Sequence, residues 1–301
     1  MTTILAVFAH PDDEAFGVGG TLAKYAEDGH RVLLVNTTKG ESGQNRLDQN
    51  DRDRMGELRE VELQRACEQL GIEPPIFLGY RDSGMAGTPA NEHPDALHQA
   101  DLDEVATRVL DVIQRERPDI VITFEHTGWY GHPDHIKTYQ AVRRAYELLP
   151  SDNQPTLICA VFAAEAARYS ARLMEEAGLE VPNMFRDRER MRYSLDVIPI
   201  VIDVTAQAEK KIAALNEHRT QMGPRAGLPS RFSTCAPAGS TSCLLRIMMR
   251  FPMYRPINVV EGSSTNRLRT HWFRIHCCRQ ALKSWALSLR KANETASSYR
   301  R

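Results

Sequence analysis

The sequence predicts an α/β fold in which helices flank a mostly parallel sheet. Three observations carry that prediction. Short apolar runs alternate with longer amphipathic stretches from the first residues onward. The run Asp119 to Phe124 is of the β-branched, apolar kind that a buried parallel strand requires. A chain of 301 residues with 42% hydrophobic and 26% charged positions has the composition of a globular protein long enough for one large domain or two modest ones.

Taken in order, Thr3 to Ala9 reads as a first strand, Gly20 to Asp28 as a helix and Arg31 to Asn36 as a second strand. Arg52 to Leu70 is a long charged amphipathic helix that Gly71 stops. Ile76 to Leu78 makes a third strand. A loop rich in Gly, Asp, Pro and His then covers Tyr80 to about Gln99, long enough to expect a function of it. Leu102 to Arg115 reads as a helix ended by Pro118, and the strand Asp119 to Phe124 runs into a His-rich turn. Beyond Pro150, Thr156 to Phe162 and Asp196 to Val204 read as further strands and Ala206 to Arg219 as a helix. The result is Rossmann-like, with the functional site expected at the carboxyl ends of the strands.

Periodicity holds to about Met222, which sets a domain at 1–222 and a C-terminal extension at 223–301. Gly223 to Gly239 reads as a linker or long loop, and Leu244 to Arg250 and Trp272 to Lys291 as helices with basic faces. The net charge of −1 conceals an asymmetry: from Arg231 onward there are 13 Lys/Arg against 2 Asp/Glu, so the tail is near +11 and the body near −12. Four of the six cysteines lie in that tail, and no CxxC spacing occurs, which argues against a zinc finger or a thioredoxin-type site. The apolar run Ile4 to Ala9 has neither a basic leader nor a cleavage site, and no window reaches the roughly 18 apolar residues of a membrane span. A cytoplasmic protein with a small-molecule partner is expected, and neither a nucleic acid nor a membrane.

Two clusters carry the chemistry. His10, Asp12 and Asp13 follow the first strand, and His132, Asp134 and His135 follow the strand that ends at Phe124. Two His and one carboxylate, with a water in the open position, make a catalytic zinc site. Zinc lowers the pKa of a bound water to about 7, and a second carboxylate that does not ligate can take its proton. The pair Asp12 and Asp13 can supply both roles. His132 and His135 share a face if a helix starts there, and spacing does not choose between them. The plainer reading of His10-Pro11-Asp12-Asp13 is a turn with a helix N-cap; two such clusters at two strand ends favour a metal site over it.

The sequence resembles a known family. Ala9-His10-Pro11-Asp12-Asp13-Glu14, Gly40-Glu41-Ser42-Gly43, Arg59 with Glu62, and Gly131-His132-Pro133-Asp134-His135 are similar to the LmbE/PIG-L zinc deacetylases over roughly Thr3 to Met222. Asn216 to Gln221 is similar to that family's late His-x-x-Gln element, and Arg81 to Gly87 with Trp129-Tyr130-Gly131 is closest to the mycothiol-pathway branch. The resemblance implies removal of acetyl from an N-acetylglucosamine-type conjugate. It implies zinc on His10, Asp13 and His135, Asp12 as general base, His132 as a protonated partner of the oxyanion that feeds a proton to the leaving amine, Tyr130 beside the same oxygen, and Arg59 and Asp82 on the substrate. An Arg59 and Glu62 pair on one helix can equally be a surface salt bridge.

Other readings compete. An amidase of mycothiol-type thiol conjugates belongs to the same branch, and a sugar-binding protein without activity is a further alternative. The same donors suit Fe(II). Gly17, Gly19 and Gly20 suggest a dinucleotide loop, but the last glycine of G-x-G-x-x-G is absent, so close backbone passage beside the metal loop is the better account. His30, His93, His98 and His126 read as surface or loop residues, while His218 either reaches the site or ends a helix.

Overall fold

The computed structural model of the chain describes residues 1–43, 53–176, 181, 193–222 and 248–250. One sheet runs through it in the order β3-β2-β1-β4-β5-β6. Its strands are β1 (Thr3–Phe8), β2 (Arg31–Thr38), β3 (Ile76–Tyr80), β4 (Ile120–Phe124), β5 (Thr156–Ala160) and β6 (Met248–Arg250). The first five are parallel, with Leu5 opposite Leu33 and Ile4 opposite Ile120, and β6 runs antiparallel to β5 at the edge.

The alternation of side chains along each strand builds two cores. Ile4, Ala6, Phe8, Val32, Leu34, Ile122 and Phe124 face one way, onto Leu22 of α2 (Gly19–Glu27) and onto Leu63 and Cys67 of α3 (Met55–Leu70). Leu5, Val7, Leu33, Val35 and Val121 face the other way, onto α4 (Leu102–Glu116) and α6 (Pro133–Leu148) through Val105, Val109, Ile113, Val142 and Ala145. Each such side chain contributes roughly 1.5–3 kcal/mol on burial. The chain therefore makes three layers: helices, sheet, helices.

Helix ends follow local chemistry. Asp101 caps α4 by accepting from the Asp103 and Glu104 amides, and Gly71, at φ 74, ends α3 in the left-handed region. Gly20 lets α2 approach closely: a Cβ there would lie 2.8 Å from Val204. Likewise a Cβ on Gly17, in α1 (Asp13–Gly17), would meet the Trp129 ring at 2.5 Å. These glycines serve packing beside the site, as the missing phosphate-loop glycine indicated.

Three expectations need correction. Asp196 to Val204 is no strand but turn and irregular backbone, with single bridge residues at Tyr193 and Ile200. Pro199 interrupts any ladder there, and Val197 and Val201 are 56% and 45% exposed. The strand from Thr156 stops at Ala160, two residues early. Residues 248–250, expected at the end of a helix, are extended as β6. The linker 223–239 and the helix Trp272 to Lys291 lie outside the described residues. The helix expected over Ala206 to Arg219 is α8 (Ala208–Glu217), followed by the single turn α9 (Arg219–Met222). Between β5 and α8 stands α7 (Ala164–Glu176). Among the described residues no helix is long and apolar enough to cross a membrane.

Candidate active site

The strand order reverses between β1 and β4, and a ligand site in an open sheet belongs outside the carboxyl ends of the strands at such a point. His10 lies two residues beyond β1. His132 and His135 lie at the start of α6, beyond β4 and the one-turn α5 (Gly128–Gly131). The topology thus brings together clusters more than a hundred residues apart in sequence.

Three donors converge there. His10 Nδ1 is 3.2 Å from His135 Nε2 and 3.4 Å from Asp13 Oδ2, and His135 Nε2 is 3.2 Å from Asp13 Oδ1. A tetrahedral shell with bonds of about 2.0 Å has edges of roughly 3.3 Å, so the spacing suits zinc. The far side of each ring is already engaged: His10 Nε2 meets Asp134 Oδ2 at 3.1 Å, and His135 Nδ1 meets the Gly128 carbonyl at 3.3 Å. With those nitrogens donating, two lone pairs and a carboxylate face one another, an arrangement that only positive charge reconciles. Burial lowers the His10 pKa, but Asp82, Asp13 and Asp134 outweigh it and hold it well above its ordinary value. Burial likewise raises Asp13, and His135 and His10 reverse that, leaving it well below the usual carboxylate range. The residues fit a metal ion. His132 also comes within reach of His10 and His135, and Asp82 and Asp134 of His10, so the donor atoms around His10 outnumber a three-ligand site.

Asp12 turns away from these donors. It is the residue before α1, yet its side chain caps nothing; its carboxylate pairs with Arg59 at 3.2 Å. Arg59, 3% exposed, also donates to the carbonyls of Pro11 and Gly40. Burial raises Asp12 to about 6, opposed by Arg59. Asp82, also 3% exposed, accepts from the Ser42 and Gly84 amides and lies 3.5 Å from His10 Nε2. The Arg59 Nη1 and Nη2 atoms and the Asp82 carboxylate are therefore engaged by the loops and side chains of the site, while Arg59 Nε has no partner among the described residues. Nor do Arg59 and Glu62 form a surface pair: both are buried, and Glu62 accepts from Thr220.

His132 is the N-cap of α6, with Pro133 at the first helical position. Its Nδ1 accepts from the Asp134 amide at 3.2 Å, which puts the proton of the neutral ring on Nε2. Burial, with the His10 and His135 rings beside it, lowers its pKa to about 2. The Tyr130 ring lies 5.9 Å from that of His132 and 5.0 Å from that of His135, and burial pushes its phenol well up, so it stays a donor.

The sequence marks Asp134 and His218 without showing what they hold, and gives Glu125 no role. Asp134, fully buried, orients His10 and accepts from the Ser83 amide, tying the loop after β3 to the site. Glu125, 2% exposed, accepts from the amides of Thr127 and Trp129 and so fixes the turn whose Gly128 carbonyl orients His135. Glu14 and His218 meet at 2.7 Å in the interior. Acidic residues beside a histidine motif signal such support, but only the fold shows what each one holds. The other histidines keep their plain roles: His30 accepts from the Thr2 amide, and His93 makes a local turn contact with Asp95.

Comparison with known proteins matches residues 5–146 to the PIG-L family, described as GlcNAc-PI de-N-acetylase. A protein of Acidothermus cellulolyticus, named 1D-myo-inositol 2-acetamido-2-deoxy-alpha-D-glucopyranoside deacetylase, is 39% identical over 245 residues, covering 73% of this chain and 80% of that one. The chain belongs to the PIG-L family. The PIG-L match spans every donor described above, together with Asp12, Arg59 and Asp82, and stops short of His218. Among solved structures, the N,N'-diacetylchitobiose deacetylase of Pyrococcus horikoshii superposes with a TM-score of 0.51 at 21% identity, over 74% of this chain and 71% of that one. The 4-carboxy-2-hydroxymuconate hydratase GalB of Pseudomonas putida gives 0.52 at 19% identity, over 89% of this chain and 100% of that one. A similar fold therefore also carries a different reaction, and fold alone does not name the chemistry.

Proposed function

We propose that this chain hydrolyses the acetamide of an N-acetylglucosaminyl conjugate, N-acetylglucosaminyl-inositol in the first instance, releasing acetate and a free amine. The observation that carries the reading is the division between adjacent residues: Asp13 faces His10 and His135, while Asp12 faces Arg59. The name of the Acidothermus cellulolyticus relative supplies the substrate. His10, Asp13 and His135 would hold zinc, with Fe(II) as a second ion that the same donors accept. A metal held there would supply Lewis acidity, polarising the amide carbonyl and lowering the pKa of a water toward neutral.

The protein's own groups do the rest. Asp12, a carboxylate raised toward neutrality, takes the proton of the attacking water and returns it to the nitrogen of the leaving amine as the C–N bond breaks. Arg59 keeps that carboxylate aimed. His132 offers its Nε2 proton to the oxygen that gains charge, as a neutral donor fixed by the start of α6. Tyr130 stands beside the same oxygen. Asp82 and Arg59 act on the substrate through His10 and Asp12, by holding them in place. The test is acetate release from N-acetylglucosaminyl-inositol and N-acetylglucosamine, and free-amine release from thiol-conjugate amides, before and after chelation and with zinc restored. Zinc-dependent acetate release from the inositol conjugate is the expected result; hydrolysis of the thiol conjugate alone would reassign the chain as an amidase, and no hydrolysis with retained sugar binding would make it a binding protein.

A further inference from the structure

Asp12 stands at φ 118 and ψ −27, a backbone conformation that side chains other than glycine rarely adopt. Such a residue costs about 1–3 kcal/mol and persists only where its surroundings hold it. The Asp12 amide donates to Glu14 Oε2 at 2.9 Å, and its carbonyl accepts from the Phe16 amide at 2.9 Å. The other oxygen of Glu14 meets His218 Nε2 at 2.7 Å, 204 residues along the chain. Both side chains are fully buried, and among the described residues His218 Nδ1 has no partner and Glu14 is the hydrogen-bond partner of that ring. Two residues on, the Thr220 amide and hydroxyl donate to Glu62 at 2.8 and 2.7 Å. Glu62 is one turn along α3 from Arg59, which pairs with the Asp12 carboxylate. The Gln221 side chain closes the same corner: a Cβ on Gly43 would lie 2.6 Å from Arg59 and 3.1 Å from the Gln221 amide. Residues 218–221 thus meet both ends of Asp12's support, the backbone through Glu14 and the side chain through α3.

We propose that Glu14 and His218 are positioning residues for Asp12, and that docking of residues 218–221 sets the geometry of the base without touching metal or substrate. This rests on Asp12 being the base. Glu14 uses both oxygens as acceptors. The amide in Glu14→Gln has only one, so either the Asp12 amide or His218 Nε2 would face an NH₂ group. His218→Leu removes the donor, and His218→Gln restores an N–H at a similar reach.

The experiment measures kcat, KM and bound metal for these three variants and for Asp12→Asn, with amide exchange at Asp12 as a readout independent of turnover. Glu14→Gln and His218→Leu should lower kcat about 10- to 100-fold. KM and metal content should stay near wild type, and Asp12 exchange should quicken. His218→Gln should recover most of the rate, and the double variant Glu14→Gln/His218→Leu should be no slower than the slower single one, since both act through one chain of bonds. Wild-type kcat and Asp12 exchange in folded Glu14→Gln and His218→Leu, or loss of metal in step with rate, would overturn the inference. Undiminished turnover in Asp12→Asn would instead overturn the reading of Asp12 itself, which keeps the two failures distinct.

Discussion

Neighbouring residues of identical chemistry take different parts here because the backbone points them apart. Asp13 lies within the first turn of α1 and faces the imidazoles, whereas Asp12, just outside that turn and left-handed, faces Arg59. The same division holds between His132 and His135. One caps α6 through Nδ1, and the other turns Nε2 toward Asp13 with its ring stacked on Phe124 at 4.1 Å. Replacing His132 by Ala should therefore lower kcat while leaving bound metal unchanged, and should cost about 1 kcal/mol of stability in urea through the lost cap. Loss of metal in that variant would place His132 among the ligands instead. Two buried thiols make a separate residue-scale prediction. Burial pushes Cys159 up to about 12 and Cys67 higher still, so neither offers a thiolate at neutral pH. Peptide mapping after treatment with a thiol reagent should find both unlabelled until the protein is unfolded; rapid labelling of either in the native protein would contradict the burial.

At the scale of elements, the turn before α6 joins the fold to the metal donors. Gly128 has φ 62, and a Cβ there would lie 2.8 Å from His135 Cβ and 2.9 Å from the Ile136 nitrogen. Gly128→Ala should lower stability by about 2 kcal/mol or more and weaken metal binding, as read by thermal unfolding and by competition with a chelator. Wild-type values for both would show that the turn is not needed to orient His135. This turn also shows where sequence reasoning runs out. The strands that present His10 and His132 are legible because alternation and β-branched composition are local, and so is the helix start that His132 and Pro133 announce. The partners of those residues are not local. Arg59 reads as a surface pair with Glu62, and only the packing of α3 against the β1 loop turns it onto Asp12. Asp196 to Val204 misleads for the opposite reason. Its apolar residues suit a strand, but Pro199 and the turn from the Ser194 carbonyl to the Val197 amide deny it a ladder. The choice of Asp13 over Asp12 came from resemblance and not from spacing.

At the scale of the whole molecule, the last described helices and the first loop of the sheet form one unit. His218 gives that unit a pH signature. Burial lowers its pKa and the Arg59 charge opposes protonation, but Glu14 and Asp12 raise it above the ordinary 6.5. Because the folded value exceeds the unfolded one, the stabilisation is complete below about pH 6.5 and is lost as pH rises through the folded value. The stability advantage of wild type over His218→Gln should shrink across that rise in unfolding measurements; an advantage that grows with pH would contradict the assignment. A hydratase of similar fold makes the site, and not the architecture, the bearer of function. The account stands on the division of labour between Asp12 and Asp13. Its most direct test is bound metal measured together with acetate release from the inositol conjugate in Asp12→Ala and Asp13→Ala. We predict that Asp12→Ala keeps wild-type metal and loses about 10²- to 10⁴-fold in rate, while Asp13→Ala loses the metal itself. Metal lost from Asp12→Ala, or acetate released by it at the wild-type rate, would contradict the account.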